Sequence, residues 1–370
     1  MIESAGVGDV IRALAQALCA FVIITTVLPV AFPRAKAWWI RIFDFPRVQL
    51  AVIGIVGCGV SLAVEGAFDW PLVALPGLAA AAVVYQAVRI WRYTPLAPRE
   101  VQRSRGADPR TRVSLVLSNV LEDNRDAPAV LRAIRDANPT IVLCVETDEW
   151  WREQLDPLTE SHPYAVRCPL PNTYGMLFYS RLPIEDTSVD FLIQDDVPSI
   201  QAMVRLESGE RVWVNCLHPR PPAPGESDSS AERDAELVVV AKRVQHAATP
   251  VIVCGDLNDV AWSRTTRLFQ KLSRLVDPRK GRGFFGTFHA RYPFLRYPLD
   301  HVFHSVDFRL VQMRLLPYVG SDHFPVYVEL SLEPDAARRQ EAPEKDGEDE
   351  AEGAETVVHA REREDGTSRR

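Results

Sequence analysis

Hydrophobic positions are distributed in two different ways along this 370-residue chain. In the first third they come as unbroken blocks: Leu14 to Phe32, Leu50 to Val64 and Leu72 to Val88 contain no charged residue. The middle block is short for a bilayer, but Val48 and Gln49 extend it, and tilt or snorkelling ends absorb the remainder. Three such blocks in succession, rich in Gly and Ala and joined by short loops, predict transmembrane helices over about 14–32, 48–64 and 72–91 rather than core helices of a soluble domain.

From Val113 the pattern changes to short apolar runs alternating with amphipathic segments. Strands are predicted at Val113 to Leu117, Thr140 to Val145, Gly175 to Tyr179, Val251 to Cys254, His301 to Ser305 and Phe324 to Leu332. Ala202 to Leu206 and Arg211 to Leu217 form a hairpin around Ser208-Gly209-Glu210. Asp126 to Ala137 reads as a helix with Val130, Leu131 and Ile134 inward. Ser229 to Glu232 matches a capping box that opens another, with Leu237, Val240, Ala241 and Val244 at helical spacing. Hairpins mixed with crossover helices suit a mixed α/β sandwich better than a doubly wound parallel sheet.

Charge then sets the boundaries. The chain carries 42 basic and 49 acidic residues, net −7, but Glu333 to Arg370 alone hold 13 acids and 7 bases. That tail contains no Leu, Ile or aromatic residue, so disorder is expected over 333–370. Residues 1–94 form the membrane domain, the Pro- and Arg-rich stretch 95–112 a linker, and 113–332 the soluble domain. With 28 bases against 31 acids over residues 95–332, that region is no evident high-affinity DNA binder. Six cysteines without CxxC spacing argue against a zinc knuckle or a disulfide scaffold, and Cys144, Cys216 and Cys254 sit in apolar runs as buried thiols.

The first loop carries Arg34, Lys36, Arg41 and Arg47 against Asp44, whereas the second has Glu65 and Asp69 and no base. Positive-inside bias therefore puts the first loop and the soluble domain in the cytoplasm. The alternative is a signal peptide cleaved near Ala35-Lys36-Ala37, which would place the domain outside. Glu3 and Asp9 against Arg12 give that segment the wrong charge.

Chemistry collects where the strands stop. Asn119, Glu146 and His218 follow predicted strands, Asp256 and Asn258 follow Val251 to Cys254, and Asp300, Asp322 and His323 precede strands. A strand-end Asp is ordinarily a turn residue or cap. Eight polar side chains at strand termini, with strands of both directions in one sheet, instead converge on one rim. Carboxylate and amide oxygens suit a hard cation such as magnesium or manganese. Histidines standing apart from them suit a charged phosphoryl group, and the grouped ligands of a zinc site and HExxH are absent.

These segments resemble the endonuclease/exonuclease/phosphatase superfamily. The resemblance rests on Leu117-Ser118-Asn119-Val120, Cys144-Val145-Glu146, Gly175 to Arg181, Leu217-His218-Pro219, Gly255-Asp256-Leu257-Asn258, Pro298-Leu299-Asp300-His301-Val302 and Gly320-Ser321-Asp322-His323. They run in the family's order over about 60% of the chain, and with the N-terminal spans they are similar to its membrane-anchored bacterial branch. The resemblance implies a four-layered α/β sandwich catalytic domain preceded by three transmembrane helices, and hydrolysis of phosphoesters with Mg2+, or Mn2+ in its place. It implies Glu146 as principal metal ligand with Asn119 and Asp322 completing the shell, and Asp256 as the group that orients and deprotonates water. Asn258 would hold that water or the phosphate, His323 oriented by Asp300 would stabilise the transition state, and His218 would bind a phosphate oxygen.

The implied partners are a membrane and a phosphoester substrate, whether nucleic acid, phospholipid or small phosphate ester; the sequence identifies no protein partner. A catalytically silent membrane scaffold recruiting partners through its acidic tail is the competing class. Arg291 to Tyr297 interleave bases and aromatics just before Asp300, as a rim loop for a base or a lipid headgroup, or as a loop packed on its own domain. Gly281 to Gly286 formally match GxGxxG but lack the strand and helix a dinucleotide site requires.

Overall fold

A computed structural model describes residues 6–65, 70–106, 108–333 and 335–367. The second loop around Asp69, predicted as uncharged by bases, lies outside them.

Three long helices open the chain: α1 (Val7–Ala31), α3 (Arg47–Glu65) and α4 (Trp70–Ile90), with the single turn α2 (Trp38–Arg41) between the first two. The stretches Val7–Ala31, Arg47–Val64 and Ala74–Tyr93 are long and apolar enough to cross a membrane, with mean hydropathies of 2.2, 1.9 and 1.3. Their apolar side chains face outward, with Ile24 63%, Ile55 60% and Val84 63% exposed, an arrangement suited to lipid and not to water. Small residues sit inside: a Cβ on Gly54 would stand 2.4 Å from a Val83 methyl. At the bundle's end, Arg47 pairs with Asp44 and donates to Gln86 Oε1 at 2.7 Å, and Gln86 donates to Thr26 Oγ1 at 2.9 Å. Apart from Arg47 Nε, which has no partner among the described residues, these buried polar groups pair with one another.

The remaining elements are β1 (Arg112–Asn119), α5 (Ala127–Ala137), β2 (Ile141–Val145), α6 (Glu149–Leu155), β3 (Tyr164–Cys168), β4 (Met176–Ser180), β5 (Ile184–Asp190), β6 (Ser199–Arg205), β7 (Arg211–Leu217), α7 (Ala231–Val244), β8 (Val251–Asp256), α8 (Arg264–Ser273), β9 (Asp300–His304), β10 (Phe308–Leu315), β11 (Val326–Leu332) and α9 (Gly347–Thr367). They build one sheet in the order β10-β11-β1-β2-β4-β3 and another in the order β5-β6-β7-β8-β9. Among the strands of the described residues, only β1 with β2 and β7 with β8 run parallel; every other pairing is antiparallel. Leu115, Leu143 and Phe178 of the first sheet meet Ile200, Val214 and Val302 of the second in a buried core. Helices α5 and α6 cover the outer face of one sheet, and α7 with α8 cover the other. The result is the expected four-layered α/β sandwich behind three apolar helices.

Helix ends follow local chemistry. Asp126 caps α5 by accepting from Ala129 N at 3.1 Å, and Ser263 caps α8 by accepting from Thr266 N at 2.9 Å. The capping box expected at Ser229 to Glu232 does not form. Ser230 is the cap and gives its hydroxyl to Asp234, while Glu232 pairs with Arg363 at 2.9 Å.

The last finding corrects the expected disordered tail. Residues 347–367 form α9, docked across α7 and α8 by Arg264–Glu352, Lys271–Asp349 at 2.9 Å and Arg363–Glu232. Gly353 lets the helix approach closely, since a Cβ there would stand 2.9 Å from Leu272 Cδ1. Ion pairs to a partner surface supply what the tail's own apolar content lacks. The 95–112 stretch is also packed: Val101 is fully buried, and the backbones of Gln102 and Ser104 bond to Leu310 of β10.

Candidate active site

Because β1 with β2 and β7 with β8 are parallel pairs, their C-terminal ends reach the same rim of the sandwich. Asn119 ends β1 opposite Val145, and Glu146 follows directly. Asp256 ends β8 directly opposite Asp300 at the start of antiparallel β9. Gly255 lets β8 approach β7 on its other side: at φ +150°, an added Cβ would lie 1.8 Å from Leu217 O. β7 and β8 therefore lie closely enough for His218 Nδ1 to reach Asp256 O at 3.2 Å.

Side chains then join the two sheets. Asn119 Nδ2 donates to Glu146 Oε1 at 2.6 Å and to Asp256 Oδ2 at 3.0 Å. His323 Nδ1 lies 2.7 Å from Asp300 Oδ2, its Nε2 lies 3.5 Å from Asp256 Oδ2, and its backbone N–H donates to Ser321 Oγ. His218 Nε2 stands 4.0 Å from Glu146 Oε1. Six of the eight residues predicted from sequence thus form one connected cluster.

The other two are placed differently. Asn258 has φ +50° rather than extended backbone, and its side-chain amide donates to Pro219 O at 3.0 Å, tying two loops together. Its backbone N–H still steadies Asp256 Oδ1 at 3.0 Å. Asp322 is half-buried; its carboxylate meets Ser321 Oγ at 3.4 Å and has no hydrogen bond to Glu146 or Asn119.

Electrostatics distinguish the acids. Burial would raise the Asp256 carboxyl, but the imidazoles of His323 and His218 outweigh it and hold the group below its ordinary range. Burial dominates at Glu146, where His218 and Asn119 only partly offset the rise. Asp300 is likewise raised by burial. At His323 burial acts downward, yet Asp300 and then Asp256 lift the imidazole to about 10, so it is a cation at neutral pH.

Atoms of Asp256, Asp300 and His323 lie within 4.8 Å of one another, close enough to hold a metal ion. Both ring nitrogens of a protonated His323 are committed to carboxylates, however, so that trio is a carboxylate–imidazolium–carboxylate array. A hard cation would fit better at Glu146, a half-buried carboxyl beside the Asn119 amide with no guanidinium or ammonium partner among the described residues.

Several contributors carried no sequence signal. Tyr174, 3% exposed, packs its ring 5.6 Å from His218 and donates its hydroxyl to Glu226 at 2.6 Å. The Phe288 ring packs against that of His323, tilted by 51° with centroids 5.1 Å apart. Arg291, by contrast, belongs to the rim loop expected from sequence; it donates to Gly320 O and so joins that loop to the loop bearing His323.

A two-sheet α/β sandwich whose parallel strand ends gather Asn, Glu, Asp and His defines a hydrolase fold of the nuclease and phosphatase type. A sequence profile of the Endonuclease/Exonuclease/phosphatase family matches residues 116–323, and the chain belongs to that family. Members of this superfamily are usually phosphoester hydrolases and generally use divalent metals. Similar solved structures include an endonuclease/exonuclease/phosphatase from Beutenbergia cavernae, with 18% identity, 60% of this chain and 72% of that one covered, and TM-score 0.50. D. rerio TDP2 complexed with single strand DNA product shares 17% identity over 60% of this chain and 99% of that one, at TM-score 0.51. A family protein from Bacteroides vulgatus shares 17% over 60% and 100%, at TM-score 0.50. No curated protein matches the chain.

Proposed function

We propose that this protein is a membrane-anchored, divalent-metal-dependent phosphoester hydrolase. The observation that carries this reading is the buried Asp256–His323–Asp300 array meeting Asn119 and Glu146 at one rim. Glu146, with Asn119 beside it and Asp322 from the loop that bears His323, would hold Mg2+ or Mn2+. When bound, that ion supplies neutralisation of phosphoryl charge.

The chain's own residues account for the rest. Asp256 orients the attacking water and takes its proton. Its basicity is low while imidazolium lies beside it, and rises as His323 turns its charge toward an incoming phosphoryl oxygen. Asp300 keeps His323 protonated and aimed, and His218 contributes a donor on the opposite side of the group. Asn258 holds the Asp256 loop in place.

Contacts between the first loop and the catalytic domain support one shared side of the membrane. Lys36 pairs with Asp234 at 2.8 Å, and Arg41 donates to Thr265 Oγ1 at 3.1 Å. Positive-inside bias makes that side the cytoplasm of a bacterial plasma membrane. The rim loop favours a membrane-borne substrate over duplex DNA. Tyr292, Phe294 and Leu295 are exposed, and Gln49 in the first turn of α3 donates to Phe294 O at 2.5 Å. Aromatics at that level suit the bilayer interface.

The test is a hydrolysis screen of the full chain in nanodiscs with magnesium or manganese, against single- and double-stranded DNA, RNA, phospholipids and generic mono- and diesters. Activity lost in both Asp256→Ala and His323→Ala supports the reading. Absence of hydrolysis of every phosphoester would overturn it.

A further inference from the structure

Away from the active site, a cleft of about 710 Å³ separates the end of the membrane helices from the catalytic domain. Seven basic and three acidic side chains line it, and none belongs to the catalytic cluster. One wall is the last turn of α4, a second is α8, and the segment 339–344 forms a third.

Most of its bases are spoken for. Arg92 and Lys280 share Glu100, Lys271 pairs with Asp349, and Arg339 stands 3.4 Å from Asp335. Arg89, Arg99 and Arg267 have no carboxylate within 4.0 Å among the described residues. Arg89 donates one Nη2 bond to Trp262 O, and Arg267 one Nε bond to Ser263 O. Guanidinium groups gathered without counter-charge repel one another unless an anion joins them.

A second observation points the same way. Gln270 is 2% exposed and lines this cleft, yet neither its Nε2 nor its Oε1 has a partner. Arg89 Nε is also buried without an acceptor. An unpaired buried amide or guanidinium nitrogen is costly, and native structures ordinarily pair such groups. The unmet groups are chiefly N–H donors, several of them cationic, on two facing elements. Phosphate matches this set, because its several acceptor oxygens receive guanidinium forks and an amide together.

We propose that this cleft binds a phosphate group between Arg89, Arg267 and the Gln270 amide, supplied by the headgroup of an anionic phospholipid or by a soluble phosphate compound. Arg89 ends a helix long enough to span a bilayer, so a lipid headgroup reaches the cleft from the membrane plane. The cleft and the catalytic rim are separate, so binding here is independent of whether the phosphoesterase reading holds.

The experiment uses the full chain in phosphatidylcholine nanodiscs with and without phosphatidylglycerol. Native mass spectrometry reads retained phosphatidylglycerol, and isothermal titration reads inorganic phosphate and AMP in the neutral discs. Arg267→Gln alters an exposed side chain, and Gln270→Leu replaces an unpaired amide, so both fold; thermal midpoints in neutral discs check this. Arg243→Gln, a base outside the cleft, is the control. Each cleft variant should weaken retention roughly tenfold, the loss of one charge-assisted or buried hydrogen bond, while the control is unchanged. Loss confined to phosphatidylglycerol identifies a lipid site; loss confined to phosphate or AMP identifies a soluble ligand. Equal binding by variants and wild type, or no binding of any probe by wild type, overturns the proposal.

Discussion

Replacing Asp300 with Asn isolates the step on which the proposed chemistry depends. His323 is lifted from an ordinary 6.5 to about 10 against the downward pull of burial, chiefly by Asp300 at 2.7 Å and then by Asp256 at 3.5 Å. At about 1.4 kcal/mol per unit, that rise corresponds to roughly 5 kcal/mol favouring imidazolium. Asp300 is the larger contributor, so its neutralisation should remove at least about half, lowering the midpoint by about 2 units or more. Wild-type activity should therefore hold on the alkaline side until near pH 10. Asp300→Asn should lose activity as pH rises through about 8, with its residual rate recovering toward acid. The sign for stability agrees: a raised histidine contributes stability below its unfolded value and loses it as pH rises through the folded one. The assays are a pH–rate profile on the best substrate of the screen and a substrate-free titration of 13C/15N-labelled imidazole. A His323 that stays protonated to about pH 10 in the variant would refute the assignment of Asp300 as its proton-holding partner.

Four further outcomes follow from particular contacts. Burial lifts Glu236 to about 8 from 4.5, with only Ser199 Oγ donating to it at 2.9 Å. The folded state holds its proton between those values, so stability falls from about pH 4.5 to 8 by up to about 5 kcal/mol. Glu236→Gln should flatten that dependence and be the more stable form at pH 8, read from thermal midpoints; an unchanged slope rejects the buried neutral acid. Gly255→Ala should destabilise by several kcal/mol or prevent folding, because its Cβ overlaps Leu217 O, whereas Gly209→Ala, with open space, should cost about 1 kcal/mol. Chelation should abolish hydrolysis and lower the thermal midpoint in wild type but shift it little in Glu146→Gln; equal shifts would remove Glu146 as the principal ligand. Phe294→Ser should slow hydrolysis of nanodisc lipid severalfold and leave a soluble diester unaffected, and an equal effect on both would remove the rim loop from substrate delivery.

The three apolar helices, α5, α7 and most core strands are legible because their signals are local. Apolar blocks free of charge give spans whichever way they later pack, and Arg211 to Leu217 was bounded correctly by its turn residues. The undetected elements lack such patterns. β5 (Ile184–Asp190) is an edge strand with little buried surface, so its sequence shows no alternation. α8 carries Leu268, Phe269 and Leu272 on one face among Arg, Lys, Thr and Gln, too few apolar residues to stand out. α9 is held by ion pairs with α7 and α8, and an acidic tail read alone gives no sign that cations await it.

By itself the sequence determined the order of the chemistry-bearing residues, their position at strand ends, and the division into apolar helices and mixed sandwich. These follow from periodicity and residue type, which are properties of short segments. Tertiary structure alone decided that Asp256 faces Asp300 across two strands, that His323 is a cation between them, and that the Asn258 amide ties its loop to Pro219 O. It also brought Arg89 and Arg267, 178 positions apart, to one cleft. Register, burial and the charge of neighbours from distant segments set those outcomes, and none of them is a property of any short stretch of chain.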